Sequence, residues 1–151
     1  MTDDLRAVEH WAGALLERLN GPERRKLMGT LARDIRRSQA QRIASQRNPD
    51  GSSFVPRKPK KDLRGKKGRI KSKMFTKLRT AKYFRTQTTM SGFTVGFAGR
   101  VGRIARVHQY GLNDRPAFGQ ADVRYDPREL LGFTQAELEA IRNAVIDHIR
   151  I

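Results

Sequence analysis

Helical apolar periodicity in the N-terminal third, a switch to period two after Tyr83 and a capped helical pattern near the end together predict an α+β fold. The expected architecture is an N-terminal helical hairpin and a C-terminal helix packed on a small antiparallel β-sheet, with a long basic loop between them. A length of 151 residues fits one domain, expected to span 1–151.

The first helix follows from Leu5, Val8, Ala12, Leu15 and Leu19, which recur at three- and four-residue steps, with Trp11 and Leu16 widening the stripe. Asn20-Gly21 ends it, and Pro22 suits the first turn of a second helix, where its missing N–H is no loss. Leu27, Met28, Leu31, Ile35 and, after a polar gap, Ile43 mark the buried side of that helix. So short a connection predicts an antiparallel pair. Pro49, Gly51, Pro56, Pro59, Gly65 and Gly68 then punctuate residues 48–70, read as a mobile basic loop with Phe54-Val55 as its anchor. A short helix is expected over 71–80, turning Met74, Phe75 and Leu78 inward.

Phe84, Thr86 and Thr88, then Phe93, Val95 and Phe97, alternate with polar or small residues on either side of Ser91-Gly92, the pattern of an antiparallel hairpin. Phe93, Val95 and Phe97 are the expected core of that sheet. Residues 101–110 predict a short helix with Ile104 and Val107 on one face, ended by Gly111. One short strand is expected near 122–125. Thr134 and Glu137 have capping-box spacing ahead of Leu138, Ile141, Val145 and Ile149, which predicts the last helix.

Charge is the strongest functional signal. Residues 57–85 hold fourteen of the 32 Lys/Arg and one acid, Asp62, so +13 of the net +17 lies in 29 residues. Such a run repels itself and resists burial, so it is read as an exposed arm meeting a polyanion, an acidic protein surface, or water. Arg57, Lys58, Lys60, Lys61, Arg64, Lys66, Lys67 and Arg69 are its candidate contacts to a partner or to DNA. Arg100, Arg103 and Arg106, stepping by three, fit a helix edge that either touches phosphates or is simply solvated. No zinc-finger or RNP signature appears, so any nucleic-acid contact would be driven by charge rather than by base sequence.

The remaining chemistry is mostly exclusion. The chain has no cysteine, which removes disulfides, thiol chemistry and Cys-built zinc sites. His10, His108 and His148 show no metal-ligand spacing, no serine sits in a nucleophile elbow, and Gly96, Gly99 and Gly102 match neither nucleotide fingerprint. No catalytic pair can be named, so no enzyme activity, cofactor or metal is expected. Asp114, Asp122, Asp126 and Glu129 form either a solvated loop or counter-charge for the arm of an adjacent subunit. The acidic start lacks the basic-then-apolar order of a signal peptide, and no stretch reaches the ~18 apolar residues of a membrane span. A cytoplasmic protein is therefore expected.

Four segments carry a family likeness: Pro49-Asp50-Gly51 with Phe54-Val55-Pro56-Arg57-Lys58; Phe93-Thr94-Val95-Gly96; residues 103–111 ending His108-Gln109-Tyr110-Gly111; and Leu130-Leu131-Gly132-Phe133. Together they resemble the phage virion morphogenesis family, of the tail-completion type of contractile-tailed coliphages, essentially end to end. Phe54 stands where the family pattern has Trp. The resemblance implies a structural protein of the virion that finishes the head-proximal end of the tail and enables head–tail joining. It further implies assembly in the host cytoplasm as a homo-oligomer, a six-fold ring, against other tail and neck proteins and around exiting DNA. His108, Gln109, Tyr110 and Gly111 are then expected to form a local bracket tying the loop after Gly111 to the body. The alternative function is a sequence-independent nucleic-acid-binding basic protein.

Overall fold

A computed structural model describes residues 2–58 and 73–149. Helix α1 (Thr2–Leu16) starts with Asp3 and Asp4 in its first turn, where carboxylates complement the positive end of the helix dipole. It tightens at its end through Arg18 and Leu19 amides bonded three residues back. Asn20 then caps α2 (Gly21–Ala44), its side-chain oxygen accepting from the Glu23 amide at 3.0 Å. At 24 residues, α2 is about 36 Å long and is the spine of the fold.

Strands β1 (Phe84–Thr88) and β2 (Phe93–Phe97) pair antiparallel, with Phe84 opposite Phe97, Thr86 opposite Val95 and Thr88 opposite Phe93. The sequence alternation therefore puts all six on one face, and α2 packs across both strands. Thr89 closes the turn: its amide donates to Gly92 O at 2.8 Å and its hydroxyl accepts from Gly92 N at 3.1 Å. Helix α3 (Val101–Tyr110) ends on Gly111 in the left-handed region, and a two-residue ladder joins β3 (Asn113–Asp114) to β4 (Val123–Arg124). The strand expected near 122–125 thus has a partner that the sequence pattern did not reveal. Helix α4 (Gln135–Ile149) opens with both halves of a capping box: Glu137 N–H donates to Thr134 Oγ1, and Thr134 N–H to Glu137 Oε2, each at 3.1 Å.

Two apolar clusters result. One joins Val8 and Leu16 of α1, Leu27, Met28, Leu31 and Ile35 of α2, and Leu138, Ile141 and Val145 of α4. The other gathers Ile43, Phe54, Met74, Ala105 and Leu130. The β-hairpin bridges them, since Phe93 and Val95 pack on the first and Phe97 on the second. Phe84 is fully buried and stacks on Phe97 at 4.8 Å.

Several local expectations are corrected. Residues 73–83 form successive turns rather than a helix, because Phe75 takes φ +65° and Gln46 occupies the Met74 backbone. Met74 and Leu78 are nonetheless buried. On α3 it is Ala105 that joins Val107 inside, while Ile104 faces solvent. Phe54 anchors the loop alone, for Val55 is exposed. The beginning of the expected mobile loop is held: Gly51 N–H donates to Asn48 O at 2.9 Å, and Arg47 and Ser53 form a bridge. Lys60, Lys61, Arg64, Lys66, Lys67 and Arg69 lie outside the described residues, as does the rest of 59–72.

Candidate functional site

Residues 128–131 have no regular secondary structure and belong to neither β ladder, and their backbone is satisfied almost wholly by side chains. Gln109, on the last turn of α3, accepts from Leu130 N at 2.8 Å and from Leu131 N at 2.9 Å through Oε1. Its Nε2 donates to Leu131 O at 2.8 Å. A primary amide carries the donor and acceptor of a peptide group, so Gln109 substitutes for a neighbouring strand. Asn48 Oδ1 accepts from Glu129 N, Arg42 donates to Glu129 O and Leu130 O, and His108 O accepts from Arg128 N at 2.7 Å. Burial draws the Arg42 guanidinium down, and Glu137 and Glu129 oppose that. The bracket expected at the end of α3 thus closes on the segment leading into α4, not on the loop directly after Gly111.

Gly111 makes that approach possible. A Cβ there would meet Pro127 Cδ at 2.9 Å and Tyr125 O at 3.2 Å, and its φ of +64° already disfavours side chains. Tyr110 takes no part in the bracket; it is 68% exposed.

Arg128 is the residue that sequence reasoning missed. It is only 4% exposed, and its guanidinium fans out to Val55 O (Nε, 2.7 Å) and Pro56 O (Nη2, 3.0 Å). Nη1 lies 3.3 Å from His108 Nδ1. Guanidinium only donates, so Nδ1 must accept and the ring is the neutral Nε2–H tautomer. Burial, then the Arg128 and Arg57 charges, push the His108 pKa down to about 4, in agreement with that assignment. Phe75 and Tyr125 meet the ring edge-on at 4.8 and 5.0 Å. No periodic or motif signal distinguishes Arg128 from a surface arginine in the sequence.

These contacts moor both ends of the basic segment. At its start the segment is held by Arg128 through Val55 O and Pro56 O and by Lys58 Nζ donating to Arg124 O at 3.2 Å. At Met74 it is gripped by Gln46, whose Oε1 accepts from Met74 N at 2.7 Å while Nε2 donates to Met74 O at 2.9 Å. Between the moorings opens a cleft of about 390 Å³, lined by Met74, Phe75, His108 and the buried Arg128 and rimmed by Arg57, Lys58 and Arg124, with Asp126 the one carboxylate among the described residues that line it. Such a rim favours anions: phosphates or acidic side chains.

The other sequence-singled cations stand apart from this cleft. Arg100, Arg103 and Arg106 are exposed on α3, but Arg103 is bonded to Asp114, whose carboxyl it holds below the usual range. Asp122 likewise pairs with Arg115 at 3.0 Å. Two of the four late-loop acids thus already have partners within their own chain. Among the described residues no cluster of His, Asp and Glu is arranged to hold a metal ion, and no described helix is long and apolar enough to cross a membrane.

Tail completion protein S of Escherichia phage P2 is 32% identical over 148 residues, covering 97% of this chain and 98% of that protein. No solved structure shows a significant match. A model of the phage virion morphogenesis family matches residues 3–150, which include the Gln109 bracket, the Gly111 turn and the stretch they hold. The chain belongs to the phage virion morphogenesis family.

Proposed function

We propose that this protein is a structural, non-catalytic component that completes the head-proximal end of a phage tail and permits head joining. It acts as one unit over its whole length, with the basic 48–70 segment as a contact element within it. The observation that carries the reading is the end-to-end match to a protein named for tail completion. The protein works as a homo-oligomeric ring, seated against tail and neck proteins at the junction through which DNA passes. It is made in the host cytoplasm and ends in the virion.

The moored basic segment and its cleft suit that place. Arg57, Lys58 and Arg124 are exposed around an opening with a single carboxylate among the described residues, so the surface attracts a polyanion or an acidic neighbour. In a ring around exiting DNA these cations neutralise phosphates without reading bases. Deleting the gene from its phage tests the role: tails are expected to accumulate without heads, and normal infectious particles would refute it. A second reading, sequence-independent nucleic-acid binding, is favoured by the net charge of +17. Neutralising about eight phosphates would give a log K against log salt slope of about −7. A flat titration assigns the cations to an acidic protein surface instead.

A further inference from the structure

The β3–β4 hairpin ends in an aromatic side chain with nothing around it. Phe118 is fully exposed (105%), and the turn beneath it is braced. Gln120 N–H donates to Ala117 O at 3.2 Å and Gly119 takes φ +77°, which puts Phe118 at the outer corner of a β-turn. Arg115 Nε closes the neck of the loop on Asp122 Oδ1 at 3.0 Å. Isolated surface hydrophobes are ordinary. A benzyl group held wholly in water on a turn pinned at both levels is a preorganised knob.

The same chain carries a hole. An apolar groove of about 450 Å³ opens between α1, α4 and the tip of the β1–β2 hairpin, lined by Leu5, Val8, Ala12, Gly13, Phe93 and Phe133 among others. Gly13 lines the groove, and a Cβ built there would meet nothing within 4 Å, so a larger residue can be introduced at its edge without a clash in its own chain. None of the described residues lining it comes from α3 or from the β3–β4 hairpin. The groove overlies the α1–α2–α4 core, whereas the hairpin leaves from Gly111, beside the other cluster.

We propose that Phe118 of one copy seats in this groove of the next copy. Knob and hole lie on one chain and are both apolar, and no described residue of the groove comes from the knob's hairpin, so the contact joins unlike faces of successive molecules. Such heterologous contacts close into rings when the rotation between copies permits. The inference rests on the reading of the protein as a self-assembling ring and supplies the contact that reading lacks.

Full-length wild type, Phe118→Ala and Gly13→Leu are compared by sedimentation velocity and far-UV circular dichroism. Wild type is expected to sediment above a dimer. Each variant keeps the wild-type spectrum and falls to monomer, its contact weakened by at least about thirtyfold. An equal mixture of the two variants recovers a pair and nothing larger, because one intact knob then faces one intact groove. A monomeric wild type, a Phe118→Ala protein that assembles normally, or a mixture with no pair overturns the proposal. Complementation of the gene-deleted phage separates this from the function itself. If wild type and Phe118→Ala both restore tails, the docking contact is wrong and tail completion stands; if wild type restores nothing, the functional reading falls.

Discussion

Replacing Gln109 by Leu tests whether one side chain stands in for a β-strand. The substitution keeps the approximate size of the side chain and removes two acceptor contacts and one donor contact to residues 130 and 131. Leu130 is fully buried, so its amide loses its partner without gaining water, a cost of about 1–3 kcal/mol. Leu131 is half-buried, and water recovers part of its loss, leaving about 1 kcal/mol for its two groups. The expected total is about 2–4 kcal/mol, a large share of the roughly 5–15 kcal/mol that holds a domain folded. Urea unfolding followed by circular dichroism measures it as a lower midpoint at unchanged slope. Tyr110→Ala, one position along, is the control: that side chain is exposed, so its loss should stay within about 0.5 kcal/mol. Equal costs for the two variants, or under about 0.5 kcal/mol for Gln109→Leu, would refute the bracket as an energetic unit.

Three further outcomes are expected. Gly111→Ala should destabilise by about 2 kcal/mol or more, from left-handed strain plus the Pro127 contact, whereas Gly29→Ala inside α2 meets nothing and should stabilise by about 0.5–1 kcal/mol; thermal melts rank the two. His108 titrates at about 4 when folded and near 6.5 when unfolded, so the unfolded chain binds the extra proton in that window and stability falls as pH drops through it. The full shift is worth about 3 kcal/mol and partial solvent access reduces it to about 1–2 kcal/mol, so between pH 7 and pH 4 the unfolding midpoints should show wild type losing about that much more than His108→Gln. Thr134→Ala breaks one half of the capping box and should cost about 1 kcal/mol by urea midpoint, with the helix otherwise intact.

Periodic features were legible in the chain because burial repeats with the geometry of each element. The α2 stripe, the alternation of the β1–β2 hairpin and the Thr134–Glu137 cap all follow from spacing, whereas the Phe84–Phe97 register needed coordinates. The polar gap of α2 gives no sign in the sequence that Gln39 is buried there, donating to Gly132 O, or that Ser38 donates to Glu137. That omission and those of Arg128, Arg42 and Gln46 have one cause. Each of these side chains bonds a backbone segment distant in sequence, and spacing along the chain carries no trace of such a partner. The turns at 73–83 escaped for a related reason, since Gln46 claims the Met74 backbone from outside the segment. His108-Gln109-Tyr110-Gly111 was singled out by its likeness to a family; which of the four face inward needed coordinates.

The irregular run at 128–131 also bears on how cleanly the protein can be made. A bare Leu-Leu edge is a template on which foreign strands assemble, and cells and test tubes alike punish it with precipitation. Here the amides of Leu130 and Leu131 are capped by Gln109. Because Leu130 is fully buried, losing that glutamine would free these amides to pair with foreign strands only when the segment opens, so insoluble material is expected first under conditions that loosen the monomer.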